Sequence, residues 1–172
     1  MIGNGQYFEV PNKNGNVRPE EKSDAKIELG TKQDIDSWMS LVEKVKDAFP
    51  GLETEQALKE HRNTVLDFMD RDAAVCAKEQ GNIVGVLLFS SENNVLCFLA
   101  VDPEHRRQHI AEKMVSYMLT KMNPQRNISV TTYREGVSEG IAVRAFYKRI
   151  GFCEGSLTEE FGSAVQEFGL KR

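Results

Sequence analysis

No apolar run in this 172-residue chain approaches the roughly 20 residues that a transmembrane helix needs. The first residues lack the basic-then-apolar pattern of an export signal, so nothing in them argues for secretion. Cysteine is scarce. Cys76, Cys97 and Cys153 are odd in number and far apart, with no C-x-x-C pair and no zinc framework. Two of them, Cys76 and Cys97, lie in apolar runs, where a thiol behaves as a small hydrophobe. A reducing, cytoplasmic setting is the expectation. Basic charge is not in excess either. The 22 Lys and Arg against 26 Asp and Glu give a net charge of −4. An acidic chain is a poor partner for nucleic acid, so neither nucleic acid nor membrane is expected as a partner.

What is present is ordinary for one soluble domain: 40% apolar and 28% charged residues, in a length that can bury a core. The charge is unevenly spread. Residues 1–100 sum to −6 and residues 101–172 to +2. Such an imbalance is either a randomly decorated surface or a pairing of a cationic substrate with one half and a phosphorylated ligand with the other.

Residues 1–24, rich in Asn, Gly, Pro, Lys and Glu, read as a flexible arm or an edge addition in which only Tyr7–Val10 suits a short strand. The folded domain is expected over 25–172. Ile27–Leu29 reads as a strand. Thr31 and Asp34 then open a helix, carried by Ile35, Trp38, Leu41, Val42 and Val45 to Phe49. Pro50-Gly51 stops it, and Thr54 opens a second helix with Leu58, Val65, Leu66 and Met69 on its apolar side. The period then changes. Ala73–Ala77, Ile83–Phe89 and Val95–Val101 form three strands joined by short turns, an antiparallel meander. A helix from about Arg106 to Lys121, a strand Ile128–Tyr133, a helix Ala142–Ile150 and two strands joined around Gly162 complete the chain. Strand, helix, strand across 95–133 implies a parallel crossover. The fold class is α/β (α+β): a mixed, mostly antiparallel sheet flanked by helices.

The chemistry concentrates after the third meander strand. Val101-Asp102-Pro103 ends it, and Arg106-Arg107-Gln108-His109-Ile110-Ala111 follows. Backbone N–H groups at a helix start lack internal partners and suit an anion. Two arginines beside them suit phosphate, because guanidinium binds it as a bidentate fork. A helix with two merely exposed arginines is the competing reading. His105 and His109, four apart, have a metal-like spacing. The intervening arginines and the lack of a third ligand argue against a metal, and none is expected.

Arg106–Ala111, in this setting, resembles motif A of the GNAT superfamily of acetyl-CoA-dependent N-acetyltransferases. It matches that pattern at its first Arg and its final Ala. The stretch Ala142–Phe152 resembles the superfamily's second signature, a helix carrying a Tyr and ending in x-x-x-G-F. The pair, in this order with a strand between, covers roughly 26–172. The resemblance implies a splayed parallel strand pair, Val95–Val101 and Ile128–Tyr133, in which pantetheine lies like an added strand. Phe98, Leu99 and Val101 would line it. Arg106, Arg107, Gln108, His109, Ile110 and Ala111 would hold the pyrophosphate. An N–H of the 98–101 stretch would polarise the thioester carbonyl.

By the same resemblance Tyr147 lies near the sulfur and protonates the departing thiolate, the alternative being an aromatic core contact beside Phe146. Glu92, or else Glu135, is the candidate base that deprotonates the amine. Both also read as surface acids, and water serves without either. Two positions depart from the pattern: His109 stands where the family has Gly, and Gly140 where an Asn is frequent. The implied activity is acetyl transfer to a primary amine of a small molecule or peptide in a ternary complex, with acetyl-CoA as cosubstrate. The acidic half suits a cationic acceptor, and a homodimer is open. The competing functions are a catalytically weak CoA-binding sensor and a scaffold that binds neither.

Overall fold

The structure, a computed structural model, describes Gln6, Tyr7 and residues 24–172. The expected flexibility of the 1–24 arm, and the Phe8–Val10 part of its expected strand, lie outside the described residues. The folded part runs β2 (Lys26–Leu29), α1 (Ile35–Val45), α2 (Glu55–Asp70), β3 (Ala74–Glu79), β4 (Asn82–Ser90), β5 (Val95–Val101), α3 (Ile110–Leu119), β6 (Ile128–Tyr133), α4 (Ile141–Arg149), β7 (Cys153–Glu160) and β8 (Ser163–Leu170). A two-residue strand, β1 (Gln6–Tyr7), precedes them. The sheet order is β2-β3-β4-β5-β6-β8-β7, antiparallel except where β5 meets β6, with β1 parallel to β5. The α/β class and the element order expected from the sequence are those observed.

The meander forms because β3, β4 and β5 are apolar on both faces, as strands covered on two sides must be. One face of it takes α3. A Cβ built on Gly85 of β4 would come within 2.9 Å of Ile110 and of Met114, so only glycine lets the helix approach that closely. The opposite face takes α1 and α2. There Phe98 of β5 stacks on Phe49 at 4.4 Å between centroids and meets the His61 ring of α2 at 4.9 Å. Trp38, Val42 and Val65 are buried in the same core.

Three expectations change. The first helix ends at Val45 and tightens into a 3-10 turn at Lys46–Ala48. The third helix starts at Ile110, because Arg107 (φ 60°) and His109 (φ 59°) are left-handed and cannot belong to a right-handed helix. And β1 is no edge addition, because β5, against which it pairs, is an interior strand.

The β5–β6 pair is a V. The two strands are in register only at Val95 and Ser129. Asn94 pins that closed end. Its backbone carbonyl accepts from Ser129 N at 3.1 Å. Its amide nitrogen donates to the Asn123 and Arg126 carbonyls at 3.2 and 2.9 Å, and its amide oxygen accepts from Asn123 N at 3.2 Å. β6 pairs with β8 along its whole length, from Ile128↔Leu170 to Tyr133↔Val165, and beyond Ser129 it has no register with β5. The open end of the V faces the β5–α3 connection.

Candidate active site

That connection is held from three sides. Asp102 N donates to Val84 O at 2.8 Å. The Asp102 carboxylate caps the short turn Pro103–His105 by accepting from Glu104 N at 2.9 Å, and it accepts from Lys44 Nζ of α1 at 2.9 and 3.0 Å. Burial opposes ionisation of Asp102, but the Glu104 N–H and the Lys44 ammonium outweigh it and hold the carboxyl below its ordinary value. His105 Nε2 lies 3.2 Å from the Glu79 carboxylate of β3. The chain therefore leaves β5 along a fixed path before it reaches the arginines.

Arg106 is half-buried in extended conformation; Arg107 and His109 are exposed and left-handed. The first intrahelical bond of α3 runs from Lys113 N to His109 O at 3.0 Å, so the N–H groups of Ile110, Ala111 and Glu112 precede the helical ladder. Arg106, Arg107, Gln108, His109, Ile110 and Ala111 are thus brought into one turn at the start of a ten-residue helix, a geometry suited to an anion. The His109 ring folds back on that helix, its Nδ1 3.2 Å from the Glu112 carboxylate. His105 and His109 do not share a helix face. One closes the 3-10 turn, the other caps α3, and their rings meet different carboxylates. Among the described residues no group of three or more His, Cys, Asp or Glu is gathered for a metal.

On β5 the backbone edge toward β4 is taken by pairing from Val95↔Ser90 to Val101↔Gly85, which leaves the opposite edge turned to the V. Leu99, Phe98 and Val101 are all buried there. Tyr147 on α4 is fully buried, its ring against Phe146 (5.4 Å), Phe152 (5.4 Å) and Phe168 of β8 (6.1 Å). Burial raises its phenol well above the ordinary value, which favours the protonated form. The Gly151-Phe152 stop shapes this setting: Phe152 N returns to Tyr147 O at 2.9 Å, and Gly151 takes φ 103°.

Glu92 is exposed in the β4–β5 turn at the closed end of the V, where its carbonyl accepts from Arg126 at 2.8 Å. Glu135 is exposed just past β6. Gly140 has a direct structural cause. A Cβ there would lie 2.4 Å from Tyr133 Cβ, so the Asn of the family pattern has no room while Tyr133 fills the space.

Two contacts of β5 and β6 were not legible in the sequence. His61 is buried, neutral and pushed down to about 4 by burial, and it faces Phe98. Its spacing from Leu58 and Val65 on the apolar side of α2 was the available signal. Thr131 of β6 donates to the Glu160 carboxylate at 2.9 Å, a contact across the β7–β8 hairpin that no local pattern encodes.

A V-shaped parallel strand pair, an anion-suited loop at its open end and a buried tyrosine on the following helix define an α/β acyl-transfer fold. The chain belongs to the Acetyltransferase (GNAT) family, whose model matches residues 38–152. No curated protein matches it significantly. Among solved structures it resembles a GNAT-family acetyltransferase from Bacillus cereus at 22% identity, covering 87% of this chain and 99% of that one, with a TM-score of 0.65. It resembles PaiA N-acetyltransferase from Thermoplasma acidophilum in complex with coenzyme A at 14% identity, covering 87% and 100%, with a TM-score of 0.65. It also resembles ribosomal-protein-alanine N-acetyltransferase from Brucella melitensis at 15% identity, covering 86% and 99%, with a TM-score of 0.63. At these identities the likeness speaks for the fold. No helix of the described residues is long and apolar enough to cross a membrane.

Proposed function

We propose that this protein moves the acetyl group of acetyl-CoA onto a primary amine of a small molecule or peptide, by direct attack in a ternary complex. The observation that carries the reading is the V, in register only at Val95 and Ser129 and leading at its open end into the Arg106–Ala111 turn. Family membership and a fold shared with a CoA-bound N-acetyltransferase support it.

Acetyl-CoA supplies a thioester carbon open to attack by an amine. Arg106, Arg107 and the N–H groups at the start of α3 bind the pyrophosphate. The edge of β5 turned away from β4, at Phe98, Leu99 and Val101, pairs with the pantetheine amides, and one of its N–H groups stabilises the developing oxyanion. Tyr147 gives its phenolic proton to the departing sulfur. Burial disfavours the phenolate that this step leaves behind, so the transfer requires a departing thiolate whose own proton affinity is raised by the same apolar setting. The acceptor ammonium loses its proton to water, to Glu92 or to Glu135. Both carboxylates are exposed, which favours water.

The test is single-turnover acetyl transfer to polyamines, aminoglycosides, amino acids and peptide N-termini, with wild type and Tyr147→Phe. At least one amine class should be acetylated. Tyr147→Phe should slow the transfer step by about 10²–10⁴, with CoA affinity little changed. An unchanged transfer rate in a stably folded variant removes Tyr147 from the mechanism. Tight CoA binding with no transfer to any amine would favour the sensor.

A further inference from the structure

The slot assigned to pantetheine already has a strand in it. β1 runs parallel to β5 with Gln6 opposite Phe98 and Tyr7 opposite Leu99, and it also lies against β6. It therefore stands between the two strands past their last shared register at Val95 and Ser129. A strand has two hydrogen-bonding edges. On β5 one edge is used by β4 along its whole length. The other can pair with β1 or with a bound amide chain at Phe98 and Leu99, but not with both.

We propose that the N-terminal strand is an intrasteric gate: it occupies the pantetheine slot of the CoA-free protein, and acetyl-CoA must displace it to bind. The inference rests on the acetyl-CoA reading above. A tethered strand competes at a high effective concentration although its own contacts are few. The apparent CoA affinity falls by the fraction of molecules whose slot is open. Two residues of pairing give a gate that yields to ligand, not a permanent block. The nucleotide end of CoA, which would meet the Arg106–Ala111 turn and not β5, lies outside the competition.

The experiment keeps the full chain and compares wild type with Gln6→Pro/Tyr7→Pro, since proline has no N–H and cannot join a ladder. Calorimetry is run with CoA and with adenosine 3′,5′-bisphosphate, which lacks pantetheine. CoA should bind the variant more tightly, by about threefold or more, while the bisphosphate binds both chains equally. Equal CoA affinity in the two chains overturns the gate and leaves the acetyl-CoA reading intact. The gate is likewise overturned by equal tightening of both ligands. Failure of both chains to bind CoA overturns the acetyl-CoA reading and the gate with it. Amide hydrogen exchange adds a direct readout. Protection at Gln6 and Tyr7 in the CoA-free wild type should vanish at saturating CoA, while Phe98 and Leu99 stay protected. Protection of Gln6 and Tyr7 that survives saturation overturns the proposal.

Discussion

His109 shows how one residue carries a backbone requirement that its side chain resists. Its φ of 59° is left-handed, a conformation that costs an L-residue on the order of 1–2 kcal/mol and glycine almost nothing. The family's Gly at this place thus answers a demand of the turn, and His109 meets the same demand under strain. Its ring is drawn toward Glu112, along the helix. His109→Gly should therefore leave folding stability equal or raised by about 1 kcal/mol in urea unfolding, and leave CoA affinity equal or tighter by calorimetry. A tenfold loss of CoA affinity, about 1.4 kcal/mol, would make the imidazole itself a ligand. Gly140 is the converse. Its φ of −88° is open to any residue, and packing against Tyr133 alone keeps the position small.

At the scale of elements, the strands and helices with strong periodicity were readable, and their junctions were not. Continuous apolar runs marked β3, β4 and β5, because burial on both faces leaves a dense apolar signature. α3 starts at Ile110, about four residues later than its sequence suggests. The string Arg106–His109 contains no residue that propensity forbids in a helix, and the left-handed turns at Arg107 and His109 are imposed by the path from Asp102. That path depends on Lys44, 58 positions away, a partner invisible to any local reading. Asn94, which reads as a turn residue, is the clamp that closes the V, and its partners lie about 30 residues downstream. The correction sharpens the role of the arginines. Arg106 precedes the helix in extended form and Arg107 turns beside it, so both flank the N–H groups that precede the helical ladder and neither belongs to the helix. Arg106→Ala/Arg107→Ala should weaken CoA by on the order of 1.5–3 kcal/mol, and calorimetry should show the same loss for the 3′,5′-bisphosphate. Unchanged affinity for both ligands would move the phosphate site elsewhere.

At the scale of the whole molecule, the buried imidazole of His61 ties folding to pH. In the folded chain burial pushes its pKa from 6.5 down to about 4, and the ring beside it is Phe98, which carries no charge to compensate. A depressed folded-state value means that the unfolded chain takes up a proton where the native chain does not. The contribution is fully present above pH 6.5, is lost progressively as pH falls, and is gone once pH drops through the folded value near 4. By pH 4.5 the loss amounts to on the order of 2–3 kcal/mol, a large share of a typical domain's stability. Urea unfolding of wild type between pH 7.5 and 4.5 should show this fall. His61→Phe keeps a ring against Phe98 and removes the titrating group, so its stability should decline less over the same range by about that amount. The comparison isolates His61 from His105 and His109, which both chains share. Parallel pH profiles for the two chains would mean that the imidazole takes up its proton while folded. α2 would then hold a charged ring against β5, and the apolar wall on that side of the V would have to open to admit water.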